Sequence, residues 1–388
     1  MKRIVGGLPK AFWWLWAGAM VNSVAQFVFP FLALFLTREG MSLPRVGALV
    51  ALFGGGSIVS GPIAGAVADR LGRRPTVVAS LVATAALTLA LAFVHEAWAL
   101  GAVVLALGVA ASAFRPVLNA VVADLVPEGD RGRAFGLVYW AVNVGMAISE
   151  VAGGMLAEHG YSLLFALDAA TTLGFAGLIW LGVPETNPAR AATGTAEASA
   201  GWRTLARDRD FALFLGVNFL FLVMFWQFQV TAPVDMTRHG LSTAQFGRVM
   251  AVNGILIGLL QPFAQVALRR FRPAHVLAAA CVIAGVGYGA YAVCHSVWQY
   301  TAATALWSVG EIMALPVAFE VVAGLSPTDM RGRYQGAFSL SFGLGTLVAP
   351  IAGTAVLDRW GSTALWGGCL AIGVLVAGLH LATGAIRR

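Results

Sequence analysis

Long apolar runs alternate with short polar turns along this chain, and the runs are too long for strands or for the helices of a soluble core. A helix rises 1.5 Å per residue, so about 20 apolar residues cross the hydrocarbon core of a bilayer. Twelve such runs can be drawn, at 12–37, 45–68, 75–94, 98–124, 133–157, 162–183, 211–235, 243–267, 274–294, 298–324, 334–356 and 362–385. The pattern predicts an all-α membrane protein with twelve transmembrane helices, here spans 1 to 12, and little chain left for a soluble domain. The opening MKRIVGGLPKAFWWLW has the basic head of a signal peptide. Its apolar run continues for about 25 residues, longer than a signal core, so it reads as a retained span 1.

The polar positions divide the chain. PETNPARAATGTAEASAGWRTLARDRD, residues 184–210, is the one long polar stretch. Its Ala/Thr/Gly/Glu centre reads as a flexible linker, and WRTLARDRD as a short surface helix. Six spans are expected on each side: one bundle over 1–183, a cytoplasmic linker over 184–210, and a second bundle over 211–388. The halves match in sequence. FRPVLNAVVADLVPEGDRGRAFG (114–136) aligns with ALPVAFEVVAGLSPTDMRGRYQG (314–336) at an offset of 200, and from 116 to 136 eleven of 21 residues are identical. Pro62 and Pro262 match, as do Gly153 and Gly353. A repeated set of six spans predicts a pseudo-two-fold transporter with its substrate site between the halves near mid-membrane.

Composition agrees with a bilayer solvent. The chain is 59% hydrophobic and 11% charged, against roughly a quarter charged in soluble domains. The net charge of +7 would suggest an anionic partner in a soluble protein, but here its distribution matters more. With the N-terminus inside, 19 of the 25 Lys and Arg fall in inner segments and five in outer ones, with Arg115 inside a span. That bias places both termini in the cytoplasm of a cell-membrane protein, and no nucleic-acid partner is expected. The three cysteines have no disulfide or metal spacing. No P-loop, nucleophile elbow, haem motif or metal box is present in the sequence, so the chain reads as neither an ATP-driven pump nor an enzyme, with no cofactor or metal.

GAVADRLGRRP (65–75), after span 2, resembles the signature loop of the major facilitator superfamily, carried by Gly65, Asp69, Arg70, Gly72, Arg73 and Arg74. ALRRFRP (267–273) is a remnant in the second half. Span 5, NVGMAISEVAGG, resembles the glycine-rich helix of the drug/proton antiporters, with Glu150 where their proline falls; the repeat has Pro350 there. GEIMALP (310–316) followed by SPTDMRGR resembles helix 10 of LmrP- or MdtH-type multidrug exporters. The resemblance implies the twelve-helix facilitator fold, an inner gate at the signature loop, and a cavity lined by spans 1, 4, 7 and 10. The charges of the loop read as a latch, with Asp124, Arg131 and Arg331 at the same boundary. The plainer reading is positive charge that sets topology.

Ionisable groups inside a bilayer are costly and usually functional. Arg115, Glu150, Glu311 and Glu320 lie deepest, and Asp168 is read as shallow, without a role. The two acids of span 10 are nine residues apart, so they point to opposite faces of a straight helix. By the repeat, Glu311 lies about 40° from the position matching Arg115, and Glu320 about 140°. Glu311 is therefore the expected proton-coupling carboxylate facing Arg115. A structural Arg115–Glu311 ion pair is the alternative. Glu320 is a candidate second protonation site or a gate residue hydrogen-bonded to span 11 or an inner-loop arginine, and Glu150 a candidate for an outer-half proton path or a local pairing group. Candidate substrate contacts are Asn22 and Gln26 in span 1, Asn119 in span 4, Tyr139, Trp140 and Asn143 in span 5, Phe225 and Gln227 in span 7, and Glu311. Aromatics with one carboxylate suit lipophilic cations, although aromatics at helical spacing are more often packing. The expectation is a monomer that exports hydrophobic, cationic drugs in exchange for protons among membrane lipids. The alternative is a proton-coupled exporter of one metabolite: a sugar, an amino acid or a natural product.

Overall fold

The structure is a computed structural model of the 388-residue chain. It describes residues 7–186, 205, 207–268, 270–327 and 330–383, without the side chains of 129, 132, 262, 265, 331 and 332. The linker's centre and four of the nine residues of WRTLARDRD fall outside these residues. Among those described, every regular element is helical. In lipid that is the expected solution, because a helix satisfies its backbone groups internally.

Among the described residues, ten helical stretches are long and apolar enough to cross a membrane, against twelve expected. The difference lies in two places. Spans 11 and 12 run together over Arg331–Ala382, turned at Gly361, whose φ of 82° is left-handed. Span 3, Arg73–Ala90, is helical but short and starts on two arginines. The other spans are Leu43–Leu71 (2), Ala97–Leu125 (4), Arg131–His159 (5), Tyr161–Gly182 (6), Thr243–Leu268 (8), Pro273–Ala290 (9) and Val297–Leu325 (10).

Spans 1 and 7 are interrupted, which the apolar pattern does not show. Span 1 is Lys10–Val24 then Val28–Arg38, and span 7 is Arg209–Phe225 then Gln227–Arg238. The breaks, at 25–27 and at Trp226, correspond under the 200-residue repeat.

The chain forms two compact units. Unit 1 comprises 1–41, 48–189 and 242–255; unit 2 comprises 42–47, 190–241 and 256–388. Each thus includes a short helical piece from the other side of the linker. The core of unit 1 packs Phe12 and Leu15 of span 1 against Val77 and Leu81, Phe114 and Val117, and Phe175 and Ile179. Unit 2 is centred on aromatics: Tyr288 stacks on Trp307 at 5.1 Å and on Trp366 at 6.2 Å. Trp98 and Trp298, at the starts of spans 4 and 10, are largely exposed, as suits interfacial anchors.

Glycine sets the closest helix crossings. A Cβ at Gly56 would lie 2.3 Å from the Leu105 carbonyl oxygen, and one at Gly108 2.2 Å from that of Phe53, so spans 2 and 4 exchange glycine for carbonyl. In unit 1, a Cβ at Gly247 of span 8 would lie 2.0 Å from the Glu150 carbonyl oxygen of span 5. In unit 2, a Cβ at Gly47 of span 2 would lie 2.6 Å from the Pro350 carbonyl oxygen and 2.0 Å from the Thr354 hydroxyl oxygen of span 11. These last two crossings are repeats of one another, residue for residue.

Candidate functional site

Unit 1 carries three groups of sequence-predicted residues. The first is the signature loop. Gly65, Asp69 and Arg70 are exposed at the end of span 2. Gly72 turns the chain with φ +98°. The Glu185 carboxylate then accepts the backbone N–H groups of Arg73 (2.9 Å) and Arg74 (3.1 Å), capping span 3. An anion here also meets the positive end of the helix dipole. Arg73 forms an ion pair with Asp124 of span 4 and donates to the Ala120 carbonyl at 3.1 Å. The Arg74 guanidinium lies 4.5 Å from the ring centre of Trp180. Arg131 donates to the carbonyls of Ala123 (2.9 Å) and Val126 (3.3 Å), at the negative end of span 4. Arg73, Arg74, Asp124 and Arg131 thus find these partners inside unit 1. Arg331 starts span 11 in unit 2, and its side chain lies outside the described residues.

The second group lies along spans 4 and 5. Arg115 and Asn119 are both exposed, one helical turn apart, beside Pro116. Tyr139 and Trp140 are about half exposed, and Asn143 donates to the Tyr139 carbonyl at 2.8 Å. Glu150 is buried, and its own carbonyl meets Gly247. Further along span 5, Thr243 donates to the Gly154 carbonyl at 3.0 Å, and Glu158 accepts the Ala244 N–H at 3.3 Å at the start of span 8.

The third group surrounds the break in span 1. Asn22 and Gln26 line a small pocket of about 40 Å³ together with Thr84, Thr88, Asp168 and Thr172. Asp168, 5% exposed, accepts the N–H groups of Phe27 (2.9 Å) and Val28 (3.1 Å) through one carboxylate oxygen, capping Val28–Arg38. Thr172 donates to Asn22 Oδ1 at 3.0 Å and lies 3.4 Å from the other oxygen of Asp168. Sequence reasoning gave Asp168 no role. The available signal was an aspartate eight positions into span 6, one turn before Thr172.

Unit 2 holds the span 7 and span 10 candidates. Phe225 is buried, in ring contact with Phe221, Trp226, Phe228 and Trp307. Gln227 is 3% exposed. Its amide N–H groups go to the carbonyls of Val223 (2.9 Å) and Ala349 (3.1 Å), and its oxygen accepts from Thr231. This part of span 7 packs inside the unit. Glu311 is half-buried, one turn beyond the fully buried Trp307, and Glu320 is exposed. Asp235, 1% exposed, accepts from Ser362 Oγ (2.8 Å) and Trp366 Nε1 (2.7 Å). Among the described residues, no group of three or more His, Cys, Asp or Glu could hold a metal.

Charged groups exposed in the middle of apolar spans, broken helices and a basic loop at one boundary are features of a machine for moving small molecules, and relatives support that class. The model of the Major Facilitator Superfamily matches residues 15–247 and 217–384. The chain is 25% identical over 368 residues to the uncharacterized MFS-type transporter YttB of Bacillus subtilis (strain 168), covering 92% of this chain and 91% of that one. It is 26% identical over 366 residues to a Na(+), Li(+), K(+)/H(+) antiporter of Planococcus maritimus, covering 86% of each. It is 26% identical over 335 residues to the multidrug resistance protein MdtH of Enterobacter sp. (strain 638), covering 85% and 82%. The solved nucleoside transporter NupG superimposes with a TM-score of 0.82 at 14% identity, over 95% of this chain and 100% of that one. A POT family transporter solved with 5-aminolevulinic acid gives 0.81 at 15%, over 99% and 98%. At such identities the likeness concerns the fold alone.

Proposed function

The chain belongs to the Major Facilitator Superfamily, and from that premise we propose that it exports hydrophobic, cationic compounds across the cell membrane in exchange for protons. Two six-span halves, 1–183 and 211–388 joined by 184–210, would alternate access to the substrate, with both termini in the cytoplasm. Relatives named as a multidrug resistance protein and as a cation/proton antiporter support this direction. The carrying observation is the accessibility of charge in mid-span: Arg115 is exposed on span 4 and Glu311 half-buried on span 10. Charged groups inside a membrane are costly and almost always turn to the protein interior or a water-filled cavity. A carboxylate there takes up a proton when the site is empty and gives it up when a cation docks beside it. Competition of that kind makes an exchanger without covalent chemistry.

Uptake into inside-out vesicles with an imposed acid interior tests the proposal, using ethidium, a Hoechst-type dye and one neutral drug. Uptake should follow the pH gradient in the wild type and be lost in Glu311→Gln. Undiminished uptake by the variant refutes Glu311 as the coupling group. No wild-type uptake of any probe favours export of one anionic or neutral metabolite, with Arg115 as its contact.

A further inference from the structure

The two interrupted spans meet different neighbours. Spans 3 and 9 correspond at the offset of 200 without a gap, as Arg73–Ala90 and Pro273–Ala290, and so do spans 4 and 10, as Ala97–Leu125 and Val297–Leu325. Unit 1 places Thr88, Leu107 and Ala111 around the small pocket beside the break in span 1. At the matching positions unit 2 has Tyr288, Trp307 and Glu311. The bundle therefore forms with small or aliphatic side chains there, and the phenol, indole and carboxylate of unit 2 need a reason of their own.

The reason lies at the break in span 7. Trp226 ends the first half of the span, and the Gln229 N–H turns to the Trp226 carbonyl at 3.3 Å. The Phe225 carbonyl accepts the Tyr288 hydroxyl of span 9 at 2.8 Å. The Tyr288 ring is fully buried and stacks on Trp307 at 5.1 Å. Trp307 touches both sides of the break, Phe225 at 6.4 Å and Phe228 at 5.5 Å between ring centres. Its indole N–H donates to the Tyr291 hydroxyl at 2.9 Å, and Tyr291 pairs with Thr304 at 2.6 Å. Spans 9 and 10 are also closely seated. A Cβ at Gly287 would lie 2.5 Å from the Trp307 backbone nitrogen, and one at Gly310 2.7 Å from the Ala280 carbonyl oxygen. These two spans hold the ring pair in place, and span 7 bends against it.

Glu311 lies one helical turn beyond Trp307, and its charge reaches the Tyr288 hydroxyl. The other titratable groups about that hydroxyl are Tyr291 and Cys369, a phenol and a thiol of kinds that ordinarily titrate above about pH 8. A phenol has one hydrogen to give. An ionised carboxylate accepts it more strongly than a peptide carbonyl does. A protonated carboxyl group does not compete in this way, and donates to the phenol oxygen instead.

We propose that Tyr288 is a positioning residue that ties the bend of span 7 to the charge of Glu311. Its hydroxyl holds the Phe225 carbonyl while Glu311 is protonated and turns to the carboxylate when the proton leaves. The inference deepens the antiport reading and rests on Glu311 as a proton-binding group, whatever the substrate.

The test is the distance between spin labels on cysteines introduced at Arg238 and Ala302, exposed positions of spans 7 and 10 in unit 2. It is read by pulsed electron resonance on the full chain in nanodiscs, from about pH 5 to about pH 9, the range that carboxyl groups in apolar surroundings reach. The wild type should exchange two distances, their ratio changing about tenfold or more. Glu311→Gln should hold the low-pH distribution at every pH. Tyr288→Phe keeps the ring and its stack, and should hold the high-pH distribution, with or without Glu311→Gln. Tyr291→Phe removes a hydroxyl of the same cluster and should keep the wild-type response. If Tyr288→Phe does not fold, 3-fluorotyrosine at position 288 serves: its hydroxyl is a stronger donor, and the midpoint of the response should fall. Wild-type distances that ignore pH overturn the inference, even if dye uptake follows the pH gradient. So does a response that survives in Glu311→Gln or Tyr288→Phe, that is lost equally in Tyr291→Phe, or whose midpoint ignores the fluorine. The expected set of responses in a protein that takes up no dye supports the inference, although the drug reading then fails.

Discussion

Adding one methyl group at Gly247 tests whether spans 5 and 8 must part during the cycle. The alanine Cβ would sit 2.0 Å from the Glu150 carbonyl oxygen. Ordinary contact begins near 3.4 Å, so the crossing must open by well over an ångström, and backbone cannot swing aside as a side chain does. Overpacking of this kind costs about 1–3 kcal/mol. Gly258→Ala is the matched control: it lies in the same helix, has nothing within 4 Å of its Cβ, and gains the same helix propensity. Relative to it, Gly247→Ala should deplete the closed crossing by about 5–150-fold. Spin labels on cysteines introduced at Met155 and Arg248, both exposed and both in unit 1, would read the separation by pulsed electron resonance. The native Cys281, Cys294 and Cys369 are buried. The long-distance population should grow in Gly247→Ala and stay at the wild-type level in Gly258→Ala. Equal distances in the two variants, with or without a lower melting temperature for Gly247→Ala, would refute a crossing that opens and leave a static one.

Other perturbations give graded outcomes. Gly108→Ala pushes a methyl into the Phe53 carbonyl and should destabilise unit 1 by about 1–3 kcal/mol in reversible unfolding. Glu185→Ala removes the cap of span 3 and should cost about 0.5–2 kcal/mol; Glu185→Gln, which retains an acceptor, should lose less. Asp124→Asn breaks the ion pair with Arg73, but with side chains 21% and 33% accessible its effect on stability should stay within about 1 kcal/mol. Trp366→Phe leaves the buried Asp235 without one of its donors and should cost about 1–3 kcal/mol. Each is read by melting temperature against the wild type in the same lipid.

Hydropathy and charge made the spans legible because the bilayer imposes length and apolarity on every helix that crosses it. The repeat was legible because Pro, Arg and Gly positions recur at one offset. Arg115 and Asn119 share an exposed face as their spacing of four implies. The breaks in spans 1 and 7 were not visible, since no Pro or Gly stands at 25–27 or 226. In span 1 the exposed backbone groups are satisfied by Asp168, about 140 residues away in sequence. Gln227 reads as a candidate substrate contact, and its amide donates to a carbonyl in its own span and to one in span 11. Periodicity reports which face of a helix is polar; it cannot report which distant backbone group will meet that face.

The paired crossings also share one symmetry. Gly47 meets the carbonyl of residue 350 and Gly247 meets that of residue 150, so each half supplies the glycine that the other half's carbonyl receives. Written for a single six-span chain, both contacts become one: position 47 of one copy against position 150 of a second. That reciprocity is the mark of an isologous interface between identical subunits. The two copies of the crossing are not identical, however: residue 150 is Glu and residue 350 is Pro.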